Sequence, residues 1–394
     1  MRQFPGVRGR RAITVVTAAV CICAVTTLMS GCASGAKQPT QRTPTARVSL
    51  DASLATATVF VAAHQGNLSG ALYAFNAQNG STRWIYHTAA MYGTPAVGNG
   101  TVFIAPQDGY VYALDAATGN RLWSFQRDVR MDVYPTVSGN MVYVASDEGA
   151  VYALGVDDGK LRWQFHPLDT GDHIYAAPAV AAGLVFVSMG GVDQYFYALD
   201  ANTGHIKWRV AANGGFDGVP AATSDTVYVG ANDDSLYAVN SASGAVRWHH
   251  ATGGAVIALP AVTGDALFAG STDGSLYALH TADGSLAWQS NPPNASGEQA
   301  GAGISDGVAA AVSGNMAFVN TIGGITYALD AGTGNELWRF KEGSNLPAQP
   351  AASGGAVFVA AFDGTVLGLR ASDGALGWKF DSQASIYAPP VVMS

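Results

Sequence analysis

The chain has 394 residues, of which 48% are hydrophobic and only 12% charged, and its net charge is −8. An acidic chain with no basic stripe counts against nucleic acid as a partner. Forty-eight glycines and no helical periodicity count against a helical protein and favour a turn-rich all-β one.

Arg2, Arg8, Arg10 and Arg11 precede an uncharged apolar stretch from Ala12 to Met29, which ends in Ser30-Gly31-Cys32. A basic start, an apolar run and small residues form a secretory signal over residues 1–31. Leu28-Met-Ser-Gly-Cys32 resembles the bacterial lipobox, with Met29 where leucine is usual. That resemblance implies acylation of Cys32, a membrane anchor and an extracytoplasmic location. The competing reading is an uncleaved membrane helix, since 18 apolar residues approach the spanning minimum; both place the globular part outside the cytoplasm. Cys21 and Cys23 fall inside the signal. The mature chain then has no disulfide, no C-x-x-C-H haem site and no zinc set of cysteines, and its charge is near −12. Residues 32–47 are polar, with two prolines and no apolar pattern, and read as a flexible tether.

From residue 48 to 394 the chain repeats itself. All eight tryptophans, Trp84, Trp123, Trp163, Trp208, Trp248, Trp288, Trp338 and Trp378, stand 39 to 50 residues apart. Four residues before each is a glycine, and eleven before is a tyrosine, except for Leu367 in the last copy. Runs such as Met141-Val-Tyr-Val-Ala alternate with Asp-Gly and Thr-Gly turns, the pattern of strands joined by hairpins. Four strands in about 40 residues make one propeller blade. The expected fold is therefore an all-β, eight-bladed propeller of four-stranded antiparallel blades, monomeric and with no second domain. One tryptophan per blade, wedged against the neighbour, is the expected stacking piece.

The C-terminal run Ile386-Tyr-Ala-Pro-Pro-Val-Val392 matches the opening strand of a blade, whereas the first blade begins weakly at Ala52-Ser-Leu-Ala-Thr-Ala-Thr. We expect the C-terminal strand to complete the first blade and remove an exposed edge; the alternative gives that strand to residues 48–55. Insertions at 63–69, 166–173, 188–192 and 291–303 are either tolerated drift or binding loops. Segments entering the first strands carry Arg130, Asp132, Asp172, His173, Asp217 and Asp306. In repeat register these either ring one channel mouth, for a cation such as Ca²⁺ or a polar ligand, or are solvated turn acids.

No G-x-S-x-G elbow, H-E-x-x-H pair or P-loop is present. His249-His250 is a poor metal pair, because adjacent strand residues face opposite ways. Asp108, Asp273 and Asp363 read as turn residues.

Ala113-Leu-Asp-Ala-Ala-Thr-Gly-Asn-Arg-Leu-Trp123, with Ala198–Trp208 and Ala328–Trp338, resembles the tryptophan-docking motif of pyrroloquinoline quinone (PQQ) repeat propellers. One branch, the PQQ-dependent dehydrogenases, implies adjacent cysteines over the quinone, a calcium site and an aspartate base. The propeller has no cysteine, and docking uses every tryptophan. The other branch, the outer-membrane-protein assembly lipoproteins of the BamB type, implies a lipobox, a tether and eight plain blades. The resemblance thus favours a non-catalytic scaffold for protein partners in the cell envelope, with no cofactor; PQQ with calcium is the alternative.

Overall fold

Each repeat forms four antiparallel strands because its Val-, Phe- and Tyr-rich runs are separated by turns that only glycine or a side-chain-capped aspartate accommodates. The computed structural model describes residues 41–42, 47–66, 68–127, 134–146, 149–167, 174, 176–190, 194–291, 310–321 and 323–394. Eight four-stranded blades result, one of which gains a short fifth strand from the N-terminal segment. Blade 1 spans 58–88, blade 2 96–126, blade 3 136–165 and blade 4 179–211. Blades 5 to 8 span 221–251, 261–290, 310–341 and 351–381. Middle strands such as Thr58–His64 and Met141–Ala145 are buried nearly throughout, while outermost strands such as Thr82–Thr88 alternate between exposed and half-buried. Both faces of the middle strands are therefore covered, which a lone blade cannot achieve.

The repeated motif does its work in the turn before each outermost strand. In blade 2, Asp115 Oδ1 accepts from the Ala117 and Thr118 amides and from the Thr118 hydroxyl, closing the turn. The Gly119 amide then donates to the Asp115 carbonyl at 2.8 Å. This leaves the Ala116 carbonyl free to accept Trp84 Nε1 from blade 1 at 3.0 Å. The same bond recurs around the ring. Trp123, Trp163, Trp208, Trp248, Trp288 and Trp338 each donate to the following blade at 2.7–3.0 Å, and Trp378 of blade 8 donates to Ala77 of blade 1 at 2.9 Å. Each indole also lies 5.7–6.0 Å, centroid to centroid, from an aromatic ring of its own blade, for example Phe60 with Trp84 and Phe358 with Trp378.

The glycine that precedes each tryptophan by four residues receives the previous blade's indole, not its own. A Cβ at Gly80, Gly119, Gly159, Gly204, Gly244, Gly284, Gly334 or Gly374 would stand 2.5–2.8 Å from that ring, and all eight have φ between 63° and 74°. Two requirements, a left-handed turn and a flat seat, fall on one position. Trp163, Trp338 and Trp378 are buried, and the other five are half-buried.

The ring closes as expected. Val391–Met393 pairs antiparallel with Thr58–Phe60, Val59 facing Val392, and completes blade 1. Residues 52–55 form a single 3-10 turn instead of a strand. The N-terminal segment adds a clasp over the seam. The Val48 amide donates to the Leu376 carbonyl at 2.8 Å, and Leu50 and Leu54 are buried against Gly377 and Gly354. Arg83 Nη2 donates to the Ala55, Thr56 and Ala57 carbonyls, fixing the clasp to blade 1. Gln41–Arg42, within the segment read as tether, lies parallel to the outermost strand of blade 7.

Gly244 and Gly264 separate the two demands on glycine: both have positive φ, but only Gly244 faces an indole, while nothing lies near Gly264. Gly264→Ala should lose about 1–2 kcal/mol from left-handed strain alone. Gly244→Ala should lose more, because Trp208 must also move. Urea midpoints of the two variants check the difference.

Candidate functional site

The ring has two unlike faces. On one, the turn before each outermost strand meets the turn after the innermost strand, as where the Ala116 amide donates to Gly100 and Ala371 to Gly355. On the other, the linker entering each blade meets the turn between its two middle strands. There the Gln107 amide donates to Ala90, Asn232 to Gly215, Thr272 to Ala255 and Phe362 to Asn345. Linkers lead into the innermost strands, so this second face carries the mouth at which those strands begin.

Most linkers end in a proline: Pro95, Pro135, Pro178, Pro220, Pro260, Pro350 and Pro390, with Ala309 at the corresponding place in blade 7. Four residues before it stands a buried apolar anchor, as Met91, Ile174, Phe216, Val256, Leu346 and Ile386 show. The next residue turns the other way and is half-buried or exposed at Tyr92, Asp217, Ile257, Pro347 and Tyr387. In sequence register the same position holds Asp132, Tyr175 and Asp306. Three of the four acids singled out from the sequence, Asp132, Asp217 and Asp306, are therefore among the eight occupants of one register, in blades 3, 5 and 7, and Asp172 is not.

Of the predicted mouth residues, Asp217 lies within the described structure; Arg130, Asp132, Asp172, His173, Asp306 and the acylation candidate Cys32 lie outside the described residues. Asp217 Oδ2 accepts from Asn232 Nδ2 at 2.7 Å, and the same amide donates to the Gly214 carbonyl at 3.0 Å. Asp217 Oδ1 is buried with no hydrogen-bond partner. Among the described residues no three His, Cys, Asp or Glu side chains group as a metal site. His249 stacks on Tyr237 while His250 Nδ1 lies 3.0 Å from the Gly284 carbonyl of blade 6, so the two rings serve different neighbours.

Sequence reasoning missed the aromatic side of the mouth. Tyr92 and Tyr387 occupy adjacent copies of the register position, and their centroids are 5.1 Å apart. His64 lies 4.8 Å from Tyr92, and Phe362 meets Tyr387 edge-on at 5.3 Å. The repeat signal that could have found them is the proline spacing, which chemistry-based scanning for acids passes over.

Charge is distributed unevenly between the faces. The first face pairs some of its acids, Lys207 with Asp200 at 3.0 Å, Arg247 with Asp225 at 3.1 Å and Arg370 with Asp373 at 2.6 Å, while Asp115, Asp283 and Asp330 there accept amide and hydroxyl donors. The Lys207 ammonium holds the Asp200 carboxyl down to about 2, aided by the Asn202 and Thr203 bonds. The mouth face carries Asp108, Asp217, Asp233, Asp234, Asp273 and Asp363 in its linkers and turns. The one Lys or Arg in its described linkers and turns is Arg127, which lies over the Tyr152 ring at 4.7 Å and donates to Gln164 at 3.1 Å; Lys379, from an outermost strand, pairs with the linker acid Glu342 at 2.7 Å. Three of these acids accept a tyrosine hydroxyl at 2.6–2.7 Å: Asp108 from Tyr112, Asp233 from Tyr237 and Asp273 from Tyr277. Asp108, Asp273 and Asp363 also accept amides within their own turns, the role read from sequence.

Burial, and then the bond to Asp233, push the Tyr237 hydroxyl up to about 12. Replacing Asp233 by asparagine removes the neighbouring negative charge that disfavours the phenolate. The Asp233→Asn variant should therefore ionise Tyr237 at lower pH than the parent, read by ultraviolet difference absorbance.

Among the described residues no helix is long and apolar enough to cross a membrane. No curated protein matches the chain significantly. BamB from Moraxella catarrhalis is similar over 81% of this chain and 94% of its own, at 19% identity and a TM-score of 0.59. Quinohemoprotein alcohol dehydrogenase from Comamonas testosteroni is similar over 76% of this chain and 68% of its own, at 16% identity and a TM-score of 0.65. The computationally designed protein Ika8 is similar over 76% and 89%, at 20% identity and a TM-score of 0.64. At these identities the likeness is one of fold. A family model described as outer membrane protein assembly factor BamB matches residues 31–172, 130–215, 167–306 and 294–393. With those matches running through all eight blades, the chain belongs to the PQQ-like repeat family that bears the BamB description.

Proposed function

We propose that this protein is a non-catalytic, BamB-like scaffold that binds protein partners in the cell envelope, held to a membrane by acylated Cys32. The observation that carries the reading is the complete commitment of the tryptophans: all eight indole N–H groups donate to a neighbouring blade. None is left to form a cofactor floor. The residues present also do not fit PQQ on charge. A quinone bearing several carboxylates would meet the acids of the mouth face, with Arg127 turned away and no cysteine in the propeller to cover it.

One observation favours a second reading, a propeller that binds a cation or polar ligand. The unpartnered, buried Asp217 Oδ1 has a spare acceptor position, and Arg130, Asp132, Asp172, His173 and Asp306 are its companions by sequence.

Two experiments test these readings. Titrating the purified chain with PQQ and Ca²⁺ should leave its absorbance and melting temperature unchanged. Saturable binding with a raised melting temperature, lost in Asp217→Ala/Asp306→Ala, would establish the second reading instead. For the anchor, Cys32→Ser should move the protein from the membrane fraction to the soluble fraction and end labelling by a clickable fatty acid. Persistence of both would contradict acylation.

A further inference from the structure

Among the described residues eleven large apolar side chains are exposed. Seven of them, such as Leu122, Ile206 and Leu337, lie on outermost strands around the rim, in the register of the tryptophan motif. The other four break the pattern: Leu68 is 85% exposed, Phe362 43%, Tyr387 37% and Leu259 36%, and all sit in linkers or turns of the mouth face. Three of them gather at the seam where blades 8, 1 and 2 meet. Leu68 tips the turn beside His64, whose backbone is bonded to Ser385 in both directions at 2.7 and 3.0 Å. Tyr387, Tyr92, His64 and Phe362 form one continuous set of ring contacts there.

The surroundings of this platform decide what it suits. Asp363 adjoins Phe362 in the same turn, and the turn carrying Asp108 is bonded to the Tyr92 linker through Gln107 and Ala90. The Asp108 carboxylate takes the Tyr112 hydroxyl and the Tyr110 amide, and that of Asp363 takes the Thr365 amide; the described structure gives neither an ion-pair partner. No Lys or Arg stands in the described linkers and turns of blades 8, 1 and 2 apart from Arg127. Aromatic faces flanked by carboxylates attract cations through the ring quadrupole and through charge together. An anionic or purely apolar partner would gain the rings and lose on the acids.

We propose that the seam of the mouth face is a docking surface for a basic polypeptide segment of a partner protein, whose Arg or Lys side chains lie over Tyr387 and Phe362. The proposal rests on the scaffold reading and assigns it a face and a partner chemistry. Arginine suits the site better than lysine, because its planar, weakly hydrated guanidinium stacks on rings.

The test uses the full chain and a fluorescein-labelled peptide of alternating arginine and valine, with a glutamate-for-arginine counterpart. The arginine peptide should bind saturably and more weakly as salt rises. Affinity should drop about tenfold in Phe362→Ala/Tyr387→Ala, the scale of two cation–π contacts, and hold in the rim variant Leu337→Ala. The glutamate peptide should not bind. Absence of saturable binding, or an equal loss in Leu337→Ala, would overturn the proposal. Competition by arginine amide at the peptide's own concentration would also overturn it, in favour of a small organic cation. Photo-crosslinking in cells separates the proposal from the reading beneath it. A crosslinker at position 362 should give an adduct whose mapped contact is a Lys- or Arg-bearing segment. Adducts only from position 205, on the opposite face, would sink the docking surface and leave the scaffold standing; none from either position would sink both.

Discussion

The ring depends on one contact made eight times, an indole of one blade seated on a glycine of the next. The contact joins three requirements in a few residues. In five copies an aspartate or asparagine (Asn76, Asp115, Asp200, Asn240, Asp330) caps the turn, and in all eight the glycine gives it a left-handed residue with no side chain while a carbonyl of the same turn accepts the indole N–H. A tryptophan removes roughly 150–250 Å² from water when buried, so the seat joins apolar area to a directed hydrogen bond. Since each blade both gives an indole and receives one, only a closed ring satisfies every copy. The 301-residue separation between Trp378 and Ala77 is the closure. Val391–Met393 and the clasp of Leu50 and Leu54 reinforce it from the two ends of the chain.

Much of this was legible in the sequence because docking demands particular residue types at fixed intervals. Trp and Gly recur four apart for a physical reason, and strands, blade number and closure by residues 391–393 follow from that register. The partner of each glycine was not legible. Periodicity reports the interval within a copy and is silent on which copy's indole arrives, and only the geometry shows it to be the preceding one. The clasp was hidden for another reason. Val48, Leu50 and Leu54 do not repeat, and a segment of mixed polarity gives no periodic signal until the surface it covers is known.

The candidate site was legible only in fragments. A search for acids found Asp132, Asp217 and Asp306 but not Tyr92, Ile257, Pro347 and Tyr387, which share their register. Residue chemistry varies at that position precisely where the backbone does not, since the buried anchor and the proline fix the path and leave the intervening side chain free to differ. In sequence the register holds three tyrosines, three aspartates, an isoleucine and a proline. Among the described residues, Asp108, Asp217, Asp233, Asp273 and Asp363 of the mouth face accept only uncharged donors, whereas Asp158, Asp200, Asp225 and Asp373 of the opposite face have ion pairs.

Native-state hydrogen exchange measured residue by residue tests the dependence of the ring on docking most directly, because amide protection reports local opening. If the indole seat at Ala77 closes the ring as the other seven seats join its interior, amides of Thr58–Phe60 and Val391–Met393 should be protected as strongly as those of the middle strands of blades 4 and 5. Exchange at the seam that is much faster than at interior blades would contradict the account, and would show a ring that opens where its two ends meet.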